Sequence, residues 1–230
     1  MPTLAQVFAG VPLLSDEEEK PAARRFSVEG ARKQAEEALH KSEFILSRAY
    51  GLLKSPKSEW EQIRAEQTTI PAILIGYVAP LAAIQPICDI IGKLIFGQLA
   101  SDSAMGLAAL PQALVGGVIF WVVSVAIVGL LGVIVNAAAP HFDADGDDLG
   151  AQKIAAYSMT PFYLSGVLLL WPPLGWLGVV GLAAAVYVMY CGLPILMKAP
   201  EDRALGYAAT VTIAAMVAGI ILLAIAFSIV

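Results

Sequence analysis

The sequence AQKIAAYSMTPFYLSGVLLLWPPLGWLGVVGLAAAVYVMYCGLPILMKAPEDRALGY, residues 151–207, decides the fold of this chain. It contains two apolar segments, 154–171 and 174–197, joined by a Trp-Pro-Pro-Leu-Gly-Trp corner. Each segment is long enough to cross about 30 Å of hydrocarbon, which takes a helix of roughly 20 residues. Residues 163–197 include no Asp, Glu, Lys, Arg, His, Asn or Gln, whereas a soluble helix keeps one polar face for water. The stretch therefore predicts a transmembrane hairpin, with Trp171 and Trp176 at the membrane surface.

The composition of the whole chain indicates the same class of protein. Hydrophobic residues make up 58% of the sequence and charged residues 14%, whereas soluble domains carry about 25% charged residues. Ten of the 14 Lys and Arg residues lie between positions 20 and 64, interspersed with acidic residues, so no basic patch for a nucleic acid is expected. The two cysteines, Cys88 and Cys191, both fall in apolar segments and do not suggest a disulfide framework.

Apolar runs elsewhere in the chain predict three further spans beside this hairpin. We therefore expect an all-α, polytopic membrane protein with five spans. The predicted spans are residues 69–91, 111–139, 154–171, 174–197 and 204–230. With five spans, 13 of the 14 Lys and Arg residues fall on one side of the membrane and only Lys93 on the other. The positive-inside rule then predicts a multi-pass protein with a cytoplasmic N-terminus and a C-terminus on the opposite side, which for a protein of the inner membrane is the periplasm.

The region before the first span divides into a flexible tail, 1–26, and cytoplasmic amphipathic and interfacial helices, 27–68. Apolar residues of the first helix fall mostly on one stripe, which suits a helix lying on the bilayer or an oligomerisation helix, and periodicity does not separate the two. The second helix should begin at Pro56, a residue favoured at the first helical position. We expect its Trp60 and Ile63 to face the membrane.

The first span is the most polar, because Gln85, Asp89 and Lys93 recur at i, i+4 and i+8 on one helix face. An ionisable residue in a membrane costs roughly 2.5 to 3.5 kcal/mol on insertion scales, which makes it a candidate for function. The alternative is that Asp89 and Lys93 neutralise each other near the far interface. Pro80 and Pro86 in the same span are expected to bend the helix or free carbonyl groups.

Several motifs, taken together, resemble the bacterial branch of the Yip family. They are SPKSEW at 55–60 followed by Glu66, GYVAPLAAI at 76–84, AAYSMTP at 155–161 and YCGLPILMKAPEDRALGY at 190–207. The resemblance runs from about residue 48 to the C-terminus and implies a five-helix membrane bundle with a cytosolic N-terminal region. Eukaryotic members were named for interacting with Ypt/Rab GTPases and are implicated in vesicle formation and membrane shaping. The resemblance implies no catalytic residues; its motif positions are interpreted as caps, kinks and interface anchors, namely Pro56, Trp60, Glu66, Tyr157, Pro161, Pro194, Lys198, Arg203 and Tyr207.

The sequence has few features of an enzyme, since it contains no Gly-rich phosphate loop, no GxSxG motif and only two His. The acidic loop 143–148 does not match the spacing of an EF-hand, and we expect neither metal nor cofactor. Two functions remain. One is a membrane scaffold or adaptor that binds the bilayer and recruits a partner protein or forms a homo-oligomer. The other is a small permease or ion-conducting bundle that uses Gln85, Asp89 and Lys93. The first is favoured because the other four spans contain almost no ionisable residues.

Overall fold

The computed structural model describes residues 28–96 and 110–229, and every element in these ranges is helical. The predicted tail, 1–26, and residues 97–109, between the first two predicted spans, lie outside the described residues. Contacts separate residues 1–44 from residues 45–230, and the second part contains the apolar helices. The α-helices are α1 (Val28–Lys54), α2 (Pro56–Ala65), α3 (Ile70–Ile95), α4 (Leu110–Ala138), α5 (Asp148–Ser158), α6 (Thr160–Ser165), α7 (Gly178–Leu196) and α8 (Glu201–Ile229).

Within the described ranges, four helical segments are long and apolar enough to cross a membrane. They are Ile70–Ile95, Leu110–Phe142, Pro172–Leu196 and Glu201–Ser228. They correspond to the predicted spans 69–91, 111–139, 174–197 and 204–230, with ends displaced by a few residues. The prediction of an all-helical, multi-pass membrane protein is confirmed.

The predicted third span, 154–171, is not a continuous helix. Instead the chain forms α5, then α6, then a 3-10 turn at Gly166–Leu170. Helix α5 begins earlier than predicted because Asp147 caps it, accepting hydrogen bonds from the backbone N–H groups of Leu149 and Gly150. It ends before Pro161, because a proline has no N–H to donate to the carbonyl four residues earlier, that of Tyr157, which accepts instead from the Thr160 hydroxyl. The helix predicted for this segment is therefore broken at Met159, and its role as a membrane span stays a prediction.

Helix α3 contains the irregularity expected from its prolines. A π-helical turn at Leu74–Val78 precedes Pro80, and a short break at Ala83 precedes Pro86. The indole N–H of Trp121, on α4, donates to the Ala79 carbonyl over 2.8 Å. The neighbouring helix thus contributes to satisfying the backbone at the irregular turns, as is usual for prolines in membrane helices.

The bundle has two ends, which we name after residues found there. At the Trp171 end, the rings of Trp171 and Phe96 stack with their centroids 6.2 Å apart. There Gly92 of α3 lies against the Leu169 carbonyl so closely that a Cβ would come within 2.2 Å of it. Trp171 and Trp176 are 55% and 70% exposed, as expected of residues at a membrane surface.

At the Lys153 end, the chain enters α5 and leaves α7 side by side. The backbone N–H of Asp145 donates to the Met197 carbonyl over 2.8 Å. Lys198 pairs with Asp145 at 2.7 Å, and Arg203 pairs with Asp143 at 2.5 Å. Two members of the acidic loop therefore hold the start of α8 and the end of α7 in place.

Candidate functional site

The family-motif residues of α2 lie in the interior of the bundle. Trp60 and Ile63 are completely buried, and the indole N–H of Trp60 donates to the Val188 carbonyl of α7 over 2.9 Å. The prediction that these two residues face the membrane was wrong. An apolar stripe is required equally by a helix on lipid and by a helix on protein, and here α7 supplies the opposing surface, with Gly192 directly under the Trp60 ring.

A group of charged and aromatic side chains, which we call the Arg48 cluster, lies beside Trp60. The Arg48 guanidinium group donates to Glu59 over 2.6 Å and to Glu66 over 3.0 Å, and it lies 5.7 Å from the Tyr157 ring centroid. Arg48 is only 9% exposed. Buried charge pairs of this kind are stable only when both partners are well hydrogen-bonded, so the cluster fixes the end of α1 to both ends of α2 and to α5.

Lys153, at the start of α5, is the second cation in this region. It is 4% exposed, and its ammonium group donates to the carbonyls of Ile63 over 2.8 Å and Glu66 over 2.6 Å. The amine therefore caps the C-terminal end of α2, where helices leave carbonyl groups unpaired. Burial lowers the pKa of Lys153, whereas the Glu66 and Asp147 carboxylates act in the opposite direction.

Aromatic rings join this cluster to the centre of the bundle. The ring of Tyr157 packs on Tyr77 at 4.6 Å and on the edge of Trp60 at 6.4 Å. The Tyr77 hydroxyl is 2.8 Å from Oγ1 of Thr160, which itself donates to the Tyr157 carbonyl. A cavity of about 310 Å³ adjoins the cluster, with Glu66, Lys153 and Asp147 among the residues of its wall.

The other predicted site residues, Gln85, Asp89 and Lys93, lie on α3 toward the Trp171 end. Asp89 and Lys93 form the ion pair that was one of the two predicted alternatives, with 2.6 Å between their charged atoms. All three residues line a cavity of about 450 Å³ between α3 and α4. The structure thus brings together the residues required by the permease hypothesis.

The remaining predicted residues have structural contacts. Pro56 is the first residue of α2, as predicted, and Pro161 is buried at the start of α6. Pro194 lies in the last turn of α7. Tyr207 was interpreted as an interface anchor; it is instead buried, stacks on Phe142 at 4.6 Å and donates to the Val135 carbonyl.

Comparison with known proteins agrees with the motifs and the helical architecture. A family model described as the Yip1 domain matches residues 50–223. The chain belongs to the Yip1 domain family. Two relatives are the inner membrane protein YohC of Escherichia coli strain K12 and that of E. coli O6:H1. Each is 28% identical over 169 residues, which is 72% of this chain and 86% of the relative. No solved structure matches the chain.

The matched region of this Yip1 protein begins at residue 50, two residues after Arg48, and ends within α8. Sequence reasoning selected Trp60, Glu66 and Tyr157 through the family motifs, and these three lie together. It overlooked Arg48, Glu59 and Lys153 as site residues. The available signal was the position of Arg48 and Lys153 within or beside apolar segments, where a cation needs a partner.

Proposed function

We propose that this protein is a non-enzymatic membrane scaffold or adaptor of the Yip1 family, located in the inner membrane as the names of its relatives suggest. The observation that carries the proposal is an exposed apolar face on the last turns of α1. Leu46, Tyr50 and Leu53 are 65%, 63% and 53% exposed, whereas Ala49 and Leu52 on the other side of the helix are buried. The spacing of i, i+4 and i+7 places the three exposed residues on one face.

The bundle holds this face in a defined position. Arg48 lies between Leu46 and Tyr50 in sequence and is bonded to both Glu59 and Glu66. An apolar helix face that is already ordered loses little further entropy on binding, which favours recognition of a partner protein by helix packing. We therefore propose a partner protein, or a second copy of the chain, as its occupant.

The charges of the Arg48 cluster support a structural role over catalysis. Glu59 and Glu66 both bond to Arg48, and the Lys153 ammonium bonds to two backbone carbonyls. A general acid, base or nucleophile needs a group that can reach a substrate. Groups engaged with one another in this way are better suited to holding helices together.

We propose a five-crossing topology with a cytoplasmic N-terminus and a periplasmic C-terminus. Residues 154–170 would form the third crossing, because their α and 3-10 turns extend about 28 Å at the usual rises per residue. In support, Lys153 lies at one end of the bundle, and the Leu169 carbonyl lies at the Trp171 end. The cations Arg48, Lys153, Lys198 and Arg203 would then face the cytoplasm, in agreement with the positive-inside rule.

A small permease or ion-conducting bundle is the second candidate. The observation in its favour is the cavity of about 450 Å³ lined by Gln85, Asp89 and Lys93. Reconstituted wild-type protein and an Asp89→Asn variant should then differ in ion or solute flux. Equal flux in the two would remove the support for this function.

The adaptor proposal is tested with a triple variant, Leu46→Gln, Tyr50→Gln and Leu53→Gln, in the full-length chain. The matched control replaces the exposed polar residues Lys41 and Ser47 by Gln on the same helix. A photo-crosslinking amino acid at position 50 should capture a discrete protein, or a second copy, in cells. The triple variant should lose co-purification of that protein while remaining monodisperse, and the control should retain it. Unchanged association in the triple variant would contradict the proposal.

A further inference from the structure

The cavity at the Trp171 end combines a polar wall with an apolar wall. Gln85, Asp89 and Lys93 of α3 form the polar wall. The facing wall consists of apolar or small residues from α4, from the 3-10 turn that follows α6, and from α8. They are Ala113, Gly116, Gly117, Phe120, Leu169 and Phe227. A pocket lined in this way suits an amphiphile that has a polar group and a hydrocarbon chain.

Gln85 has a hydrogen-bond acceptor without a partner in the part of the chain that the structure describes. The residue is 8% exposed, its amide nitrogen is 3.5 Å from the Phe162 carbonyl, and its buried Oε1 atom accepts no hydrogen bond from any described residue. An unsatisfied buried polar atom is uncommon in native structures and calls for an explanation. A ligand that donates an N–H or O–H group to Oε1 would provide one.

The Asp89–Lys93 ion pair favours a ligand with charges of both signs over one with a single charge. The two side chains are 37% and 39% exposed, so each retains capacity for further hydrogen bonds. A ligand with only one charge would approach one member of the pair favourably and the other unfavourably. A zwitterion with an ammonium and an acidic group can satisfy both.

The order of these residues along α3 sets the orientation of such a ligand. Lys93 is nearest to Phe96 and the Trp171 end, Asp89 is one turn deeper, and Gln85 is a further turn, about 6 Å, beyond Asp89. An ammonium group placed between Asp89 and Gln85 would donate to the Asp89 carboxylate, and to Oε1 of Gln85 after a rotation of that side chain, because Oε1 is fully enclosed in the structure. Its acidic group would then reach Lys93 on the side of the membrane surface.

We propose that this cavity binds the headgroup of an ethanolamine phospholipid, with the ammonium at Gln85 and Asp89 and the phosphate at Lys93. Because the phosphate joins the ammonium to the glycerol, the acyl chain would leave at the level of Lys93 and turn back into the membrane along Leu169, Phe227 and Phe120. An ethanolamine headgroup is preferred over choline because a quaternary ammonium has no N–H to donate, and over a glycerol headgroup because glycerol has no cation. The site is independent of the adaptor function, which involves the opposite end of the bundle.

The test uses the full-length protein in nanodiscs that contain a photo-activatable ethanolamine phospholipid. Labelling of peptides from α3 and α4 should be competed by unlabelled ethanolamine phospholipid about tenfold more effectively than by choline phospholipid, the ratio expected for one charge-assisted hydrogen bond. Free phosphoethanolamine should compete poorly, because it lacks the chain that contacts the apolar wall.

Three variants locate the site. Gln85→Met removes the acceptor at similar size, and the pair Asp89→Asn with Lys93→Gln removes both charges while preserving the net charge. Gly116→Leu fills the cavity, since Gly116 lines it and a Cβ there makes only an ordinary contact, 3.7 Å, with the Phe227 ring. Each should reduce specific labelling about tenfold, the effect of losing a contact of this type. Asp143→Asn, which removes an ion pair at the Lys153 end, should leave labelling unchanged.

Size-exclusion profiles identify variants that do not fold. Gln85→Met is the smallest structural change among the three. Equal competition by the choline lipid, or full labelling of a folded Gly116→Leu or Gln85→Met variant, would overturn the proposal. Competition by free phosphoethanolamine as strong as that by the lipid would overturn the lipid assignment, because it would identify the ligand as a soluble zwitterion.

Discussion

Lys153 is a residue at which a single side chain connects distant parts of the structure. It lies 90 residues from Ile63 in sequence, yet its ammonium group bonds to the Ile63 and Glu66 carbonyls. Lys153→Met should lower the free energy of unfolding by about 1–3 kcal/mol, because both carbonyls lose the ammonium donor; the Ile63 carbonyl retains the 3.3 Å bond from the Glu66 backbone N–H. Equilibrium unfolding in mixed micelles with increasing SDS measures this change. Lys198→Met, at an exposed ion pair, is the control and should cost at most about 1 kcal/mol.

The lowered pKa of Lys153 also predicts how stability depends on pH. Between its lowered pKa and the ordinary value of 10.5, the unfolded state binds more protons than the folded state. The contribution of Lys153 to stability should therefore rise with pH across this alkaline window. It is measured as the difference in unfolding free energy between wild type and Lys153→Met at increasing pH. A difference that falls with pH would show that the two carbonyl contacts outweigh burial and raise the pKa instead.

At the scale of the element, the contact of α2 with α7 rests on a glycine. A Cβ at Gly192 would lie 2.5 Å from Cε2 of the Trp60 ring, so Gly192→Ala should destabilise the protein by about 1–3 kcal/mol through overpacking. Gly76→Ala is the matched control, since no atom of the described residues lies within 4 Å of a Cβ there. Unfolding in SDS measures both costs. In a Trp60→Leu background the cost of Gly192→Ala should shrink, and an equal cost in both backgrounds would mean that the two residues are not coupled.

The helices differ in how much of their structure can be predicted from the sequence. The four long helices and the corner at Trp171 were predictable, because continuous apolar runs and a Pro-Pro pair determine them locally. The burial of Trp60 was not, since lipid and protein require the same apolar stripe. The break between α5 and α6 was also missed, because hydropathy does not register the backbone effect of Pro161. The bonds of Arg48 and Lys153 depend on residues far apart in sequence, which no local pattern contains.

At the scale of the whole molecule, the number of membrane crossings decides on which side each end of the bundle lies. Four helical segments of the described chain are long enough individually, and five crossings require residues 154–170 to act as one broken span. If they do, an N-terminal green fluorescent protein should fluoresce in the cytoplasm and a C-terminal alkaline phosphatase should be active in the periplasm. Single cysteines in a Cys88→Ala, Cys191→Ala background refine the test. Trp176→Cys should react with an impermeant maleimide in intact cells, whereas Lys198→Cys should react only after permeabilisation.

The two possible topologies place the charged residues differently relative to the two membrane surfaces, so the fusion and labelling results can be interpreted. With five crossings, the Lys153 end and its cations face the cytoplasm, and the Asp89–Lys93 pair lies near the periplasmic surface with no net charge to translocate. With four crossings, the C-terminal fusion would report the cytoplasm and residues 154–170 would be a re-entrant segment. Non-helical backbone at membrane depth is tolerated only when it is buried in protein. Ile154, Ala155 and Tyr163 in this segment are buried, as a re-entrant segment would need, but Lys153 and Leu169 lie at opposite ends of the bundle, which favours five crossings. The reaction at position 176 together with the C-terminal fusion distinguishes the two topologies.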